Sequence, residues 1–297
     1  MDADIHTLYE SDFYRVMDFR CRCTECRTSK PEYNTEFCIS FVRKGNFLFN
    51  VFRRSLDSYS GCVLVTKPGY ERTVTHTHAI PDECTIFEFK TGFFKAMLEH
   101  YGKIPFFTDN DWHSTLIKTN AETEFLHFHI IKLILNRTGG KLQIDNLVME
   151  VIEKVLSNIT NYKPDLRINT RLKQNHLVTI ERAKDFLSNH FTDDISLMQI
   201  AEYCFVSPFH FSRLFKTFTS ETPHQFLLTL RLKNAELSLR NTAQPVADIA
   251  FSSGFNSVEH FTAAFKQKYN CPPAAYRQQH AVASGTGNKT YYHYSKL

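Results

Sequence analysis

No apolar run in the 297 residues approaches the ~20 that a membrane-spanning helix needs, so no such helix is expected. Met1 to Glu10 lacks a basic segment followed by an apolar one, and no secretory signal is expected there. The Cys-x-Cys of Cys21 and Cys23 has no matched second pair, which weakens a zinc-ribbon reading. Charge of one sign is hardly in excess. The net charge is +4, and the surplus lies in the C-terminal part, where 14 Lys and Arg face 9 Asp and Glu from Arg171 onward. Such a balance permits a polyanionic partner without requiring one.

What is present is ordinary for a soluble protein: 42% hydrophobic and 22% charged residues, with 27 phenylalanines to fill aromatic cores. The length suggests two domains. The eight cysteines are expected to stay thiols in a reducing, cytoplasmic setting.

Residues 12 to about 95 read as short strands punctuated by Gly and Pro. Phe37 to Phe52 alternates apolar and polar residues around a Lys44-Gly45-Asn46 turn. A short helix is expected over 93–101. From Ala121 the period becomes helical, through Phe125, Leu126, Phe128, His129, Leu133 and Ile134. After Thr138-Gly139-Gly140 a second stripe runs through Ile144, Leu147, Val148, Val151, Ile152, Val155, Leu156 and Ile159. The two helices form a hairpin whose stripe is either core or a dimer seam, the seam being slightly favoured. Residues 160–176 are polar and aperiodic, as a linker is.

The strongest signal is an internal repeat. IAEYCFVSPFHFSRLFKTFTSETP (200–223) returns as IAFSSGFNSVEHFTAAFKQKYNCPP (249–273), with a turn one residue longer. Ile200-Ala201 match Ile249-Ala250. Beyond the turn Ser207, His210, Phe211, Phe215, Lys216 and Pro223 match Ser257, His260, Phe261, Phe265, Lys266 and Pro273. Each copy has a short helix with an inward Ile-Ala, a turn (Gly254 in the second copy), and a second helix capped by Ser207 or by Asn256/Ser257. That is the plan of a helix-turn-helix. Between the copies Thr222 to Asn241 has no breaker. A helix of about 20 residues is about 30 Å long. Successive major-groove faces lie about 34 Å apart, so such a helix suits two readers on one face of a duplex.

These residues resemble the AraC/XylS family of transcription regulators over about Val178 to Gln278, most specifically in GF-x5-F-x3-F-K…P-x-x-Y-R. The resemblance implies an α+β chain in parts. A cupin-like sensing barrel spans 1–110 and a helical, dimerising hairpin 111–162. A linker follows at 163–176, then an all-α tandem helix-turn-helix domain of seven helices at 177–279 and a tail at 280–297. It implies base contacts by Pro208, Phe209, Ser212 and Arg213, with His210 and Lys216 near the phosphates. In the second copy it implies Val258, Glu259, Thr262 and Ala263, flanked by His260 and Lys266. Family members often carry Arg where Ala263 stands, and Glu259 sets a negative charge towards DNA. The first copy is therefore expected to carry most specificity. The implied partners are promoter DNA, a second copy of the chain, a small-molecule effector and, for an activator, RNA polymerase.

Two clusters raise other chemistry. Cys21-x-Cys23-x2-Cys26 gathers three thiols, and His76-x-His78-x4-Glu83-Cys84 resembles a first cupin metal motif. Residues i and i+2 share a strand face, so a metal such as zinc or a thiol-based sensor is a candidate there. The alternative function is a methyl-accepting or cupin-type metalloenzyme fused to the DNA-binding domain.

Overall fold

The computed structural model describes residues 3–23, 27–77, 81–160 and 168–280. Packing divides the chain into two compact units. The first runs to His190 and takes in Ile195–Leu227; the second holds Phe191–Asp194 and the chain from Leu228. This division by packing differs from the expected one, which kept residues 177–279 together: the first helix-turn-helix falls in the unit that contains the sheets.

The first unit begins with nine strands: β1 (Ala3–Glu10), β2 (Tyr14–Cys21), β3 (Glu32–Asn34), β4 (Phe37–Lys44), β5 (Asn46–Val51), β6 (Arg54–Tyr59), β7 (Cys62–Thr66), β8 (Tyr70–His76) and β9 (Glu83–Phe89). Helices α1 (Thr91–Tyr101) and α2 (Pro105–Thr108) follow, then β10 (Ser114–Lys118). Six strands pair in the order β1-β2-β9-β4-β7-β10 and four in the order β3-β8-β5-β6, all neighbours antiparallel. Phe19, Val42 and Leu64 of the larger sheet share one core with Phe47, Phe49, Val51 and Val74 of the smaller. Strands thus begin earlier and end later than the expected span of 12 to about 95.

The expected turn at Lys44-Gly45-Asn46 is a corner between sheets. β4 pairs with β7 and β9, whereas β5 pairs with β6 and β8. Gly45 makes the corner with φ +83°, and an added Cβ there would collide with Oδ1 of Asp82.

Helix α3 (Ala121–Asn136) is capped by Asn120, whose side chain accepts the Thr123 N–H at 2.9 Å. Its buried face includes Phe125, Leu126, His127, Ile130 and Ile134, so Phe128, His129 and Leu133 of the expected stripe are only half-buried. Arg137, in the left-handed conformation, ends the helix ahead of Gly139-Gly140. Helix α4 (Lys141–Thr160) buries all eight residues of its stripe inside this chain. The favoured seam reading is corrected on that point: the stripe is core, and a dimer must use another surface. α4 is held to the sheets by Asp145, which accepts from Tyr14 Oη at 2.7 Å and Ser11 Oγ at 3.2 Å.

Residues 161–167 of the expected linker lie outside the described residues. Its last part is helical, because α5 (Thr170–His190) starts earlier than expected, with the Asn169 side chain accepting the Arg171 N–H at 2.8 Å. Lys173 explains why the polar stretch orders: it is buried, pairs with Asp57 and lies 5.3 Å from the Tyr59 ring centroid. Then come α6 (Leu197–Tyr203), α7 (Pro208–Thr219), α8 (Pro223–Asn241), α9 (Val246–Ser252), α10 (Val258–Tyr269) and α11 (Pro273–His280). In the second unit Leu232, Ala235 and Leu239 of α8 pack on Ile249, Ala250, Phe255, Phe261 and Phe265. Among the described residues no helix is long and apolar enough to cross a membrane.

Candidate nucleic-acid interface and sensing site

The two copies of the repeat build the same object. In the first, Ser196 and Gln199 form a capping box that starts α6, and Ile200 and Ala201 are buried. The Val206 N–H donates to the Ala201 carbonyl at 3.0 Å, folding the turn back. Ser207 then caps α7, accepting the His210 N–H at 3.4 Å, and Pro208 opens the helix. In the second, the Phe255 N–H donates to Ala250 at 3.1 Å, and Ser257 caps α10 by accepting the His260 N–H at 3.1 Å.

The turns differ in the residue that takes positive φ. Gly254 does so at +87°, where an added Cβ would sit 2.8 Å from the Phe191 carbonyl oxygen; no side chain fits. In the first copy Phe205 takes it, at +57°, with its ring 82% exposed and Arg182 5.6 Å from the ring centroid. Sequence reading missed Phe205, because the glycine signal exists only in the second copy.

Buried phenylalanines orient each second helix. Phe211, Leu214, Phe215 and Phe218 anchor α7; Phe261, Ala264 and Phe265 anchor α10. The other face is left to solvent. On α7, Phe209, His210, Arg213 and Lys216 are exposed, Pro208 and Ser212 are half-buried, and the Ser207 cap is exposed. The Arg213 guanidinium lies 5.9 Å from the Phe209 ring centroid. On α10, Glu259, His260, Ala263 and Lys266 are exposed and Val258 and Thr262 half-buried, with Asn256 and Ser257 at the entry. Every residue expected to face DNA is thus at the surface of its own helix.

Residues of the two sheets line a half-open cavity of about 410 Å³. Its apolar wall includes Met17, Phe47, Phe49, Leu64 and Val74. Two ion pairs on its lining supply polarity: Arg15–Glu88 at 2.5 Å and Arg72–Glu32 at 3.0 Å. Beside the lining residue His76 the structure gathers Cys21 and Cys23, and the donor atoms of the three all lie within 4.8 Å of one another. Cys21 Sγ is 3.8 Å from both His76 ring nitrogens and accepts the Cys23 N–H at 3.3 Å. Asp82, missed by sequence reading, joins through Oδ2 at 2.9 Å from His76 Nδ1, both side chains almost fully buried. Burial pushes the Cys21 thiol up to about 11.

The other expected members of that cluster do not join it. Glu83 is drawn into ion pairs with Lys44 at 3.1 Å and Arg43 at 3.7 Å. Cys84 is buried in the apolar core, which raises its pKa. Cys26 and His78 lie outside the described residues.

Residues 200–279 match a family described as a helix-turn-helix domain. The chain is 27% identical over 139 residues to the regulatory protein PocR of Salmonella typhimurium, covering 47% of this chain and 46% of that protein. It is 34% identical over 93 residues to the transcriptional regulator Rob of the same organism, covering 31% and 32% respectively. Its C-terminal region thus carries a helix-turn-helix domain. The aligned parts span less than half the length of these relatives. Among solved structures, unsaturated-fatty-acid-bound ToxT from Vibrio cholerae aligns over 95% of this chain and 99% of its own at 13% identity. Its TM-score of 0.36 is too low to bear on fold or ligand.

Within the first unit the helices that lead into and begin the helix-turn-helix region are tied to the sheets. Glu124 pairs with Lys184 of α5. Lys118 Nζ donates to Ser220 Oγ at 3.0 Å and to the Thr217 carbonyl at 3.3 Å. Glu221 accepts the Ala121 N–H at 3.3 Å. Glu181 of α5, 8% exposed, accepts the N–H of the corner residue Gly45 at 3.0 Å. Burial pushes its carboxyl up to about 7. The folded state therefore holds this proton more tightly than the unfolded chain, and stability falls as pH rises from about 4.5 to about 7. Glu181→Gln keeps an acceptor for Gly45 and removes the ionisation. Denaturant titration is expected to show a gain of ~1–3 kcal/mol at about pH 8 and little at about pH 5.

Proposed function

We propose that the protein is a sequence-specific, DNA-binding transcription regulator, more an activator than a repressor, controlled by a signal received at its N-terminal sheets. The observation that carries this reading is the duplicated helix-turn-helix. Each copy has a capped second helix, anchored by a buried phenylalanine pair, that leaves a polar face to solvent in a region of AraC type. Relatives of that region are named as regulators. In this reading Lys216, Lys266, His210 and His260 hold phosphates while α7 and α10 enter major-groove segments.

Pro208, Phe209, Ser212 and Arg213 read base edges in the first segment, and Val258, Glu259, Thr262 and Ala263 face the second. Arg213 offers the paired donors that suit guanine, whereas Ala263 offers none, so α7 carries most of the discrimination. A cavity of about 410 Å³ with an apolar wall and a few charged groups suits a small organic effector. The reading also calls for a second copy of the chain on the DNA and, at promoters, RNA polymerase.

Fluorescence anisotropy on a selected DNA site tests the assignment. Arg213→Ala is expected to cost ~1–3 kcal/mol and to relax preference at one base pair. Lys216→Ala is expected to weaken all sequences evenly and to reduce the salt slope by about 1. Unchanged affinity and preference in Arg213→Ala would overturn the role given to α7.

A further inference from the structure

We infer that Cys21, Cys23 and His76 form a binding site for a thiophilic d10 cation, zinc(II) foremost, beside the sheet cavity that His76 lines. The proposal names the signal in the regulatory reading above and rests on that reading only for its link to DNA. Two sulfurs and an imidazole nitrogen are a donor set for zinc. Tetrahedral zinc spaces its donors by ~3.5–4 Å. Cys21 Sγ already lies 3.8 Å from the ring nitrogens of His76, and the three donors fall within 4.8 Å. Small side-chain adjustments close the site.

The surroundings are those of a ligand set held in place. Asp82 Oδ2, 2.9 Å from His76 Nδ1, fixes the ring, with Nε2 as the donor to the cation, the usual role of a carboxylate behind a metal-binding histidine. The Cys21 N–H donates to the Asp82 carbonyl at 2.8 Å, and the His76 N–H to Arg27 at 3.1 Å. The segments that carry the donors are therefore tied down by backbone bonds. Cys21 and His76 are 5% and 3% exposed, so the cation is shielded from bulk water. Each thiol gives its proton to solvent as its sulfur bonds the metal, and nothing is oxidised or reduced.

Three protein donors leave one tetrahedral position open. His76 and Asp82 also line the cavity, so that position is available to water or to a donor atom of an effector. The site also reaches the AraC-type region. Asp82 packs on the Gly45 corner, and Gly45 donates to Glu181 of α5. A cation on His76 polarises the ring and strengthens its bond to Asp82, and so acts on that corner.

The test is a cobalt(II) titration of the full-length protein, reduced and stripped with chelator, followed by competition with zinc(II). About one equivalent per chain is expected to bind with sulfur-to-cobalt charge-transfer absorption and tetrahedral d–d bands, both removed by zinc. Cys21→Ser and Cys23→Ser each lose the charge-transfer signal. His76→Gln loses the site, and Asp82→Asn weakens it about 10–100-fold. Cys204→Ser, far from the cluster in sequence, keeps it. Circular dichroism confirms that each variant is folded; Cys23→Ser, at a half-buried position, stays informative should a buried-site variant unfold. Absence of thiolate-to-cobalt absorption in the wild type, or its survival in both cysteine variants, overturns the proposal. DNA affinity is measured in parallel. Metal binding without DNA binding leaves this site standing and defeats the regulatory reading; DNA binding without metal binding does the reverse.

Discussion

Glu236→Ala is expected to destabilise the second unit by ~3–5 kcal/mol, about as much as any single substitution in the chain. Glu236 is 2% exposed in α8 and serves three donors: Lys233 Nζ at 2.8 Å, Arg240 Nε at 2.7 Å and Tyr276 Oη at 2.8 Å. Lys233 is itself only 3% exposed. Removing the carboxylate takes away a charge that offsets a buried ammonium, which costs more than the ion pair contributes. The same substitution removes the bond from the Tyr276 hydroxyl that ties α11 to α8. A Lys233→Met/Glu236→Leu double variant is therefore expected to lose less than Glu236→Ala alone. Urea denaturation of the full-length chain checks both, with the change confined to the transition of the second unit. A loss under ~1 kcal/mol for Glu236→Ala would show that the charges reach solvent.

Phe265→Ala and Phe215→Ala are each expected to cost ~3–5 kcal/mol. Both rings are fully buried. Phe265 lies 5.5 Å from the Phe261 ring, 4.5 Å from Tyr269 and 5.3 Å from Tyr276. Phe215 lies 5.5 Å from Phe211 and 5.3 Å from Phe226, edge to face. Truncation leaves a cavity under each reading helix and removes aromatic contacts worth more than their area. Because the two rings belong to different units, each variant is expected to lower a different unfolding transition. In the regulatory reading Phe215→Ala lowers sequence discrimination more than Phe265→Ala. Equal losses would contradict the unequal weight given to α7 and α10.

The repeat was legible because helical packing is local. Phe211 and Phe215 sit four residues apart, as do Phe261 and Phe265, and that spacing alone puts each pair on one buried face. The α4 stripe was legible as a face but not as to what covers it; the covering surface comes from remote sequence. Strands fared less well. β1 has no fully buried residue and so no apolar alternation to read. The Gly45 corner looks like a hairpin turn until the partners of β4 and β5 are known.

The candidate sensing site was half legible. Cys21, Cys23 and His76 were marked by strand spacing. Glu83 was marked over Asp82 by resemblance to a spacing, yet Asp82, just before β9, is the carboxylate that reaches His76. The tie between Gly45 and Glu181 spans two distant segments, and no local pattern announces it.

The central claim is selective DNA binding, and a genomic-fragment screen with the purified full-length protein tests it most directly. The account predicts enrichment of a few promoter fragments, weakened by salt and less selective in Arg213→Ala. Enrichment no greater than that of bulk DNA, with and without added zinc(II), would contradict it.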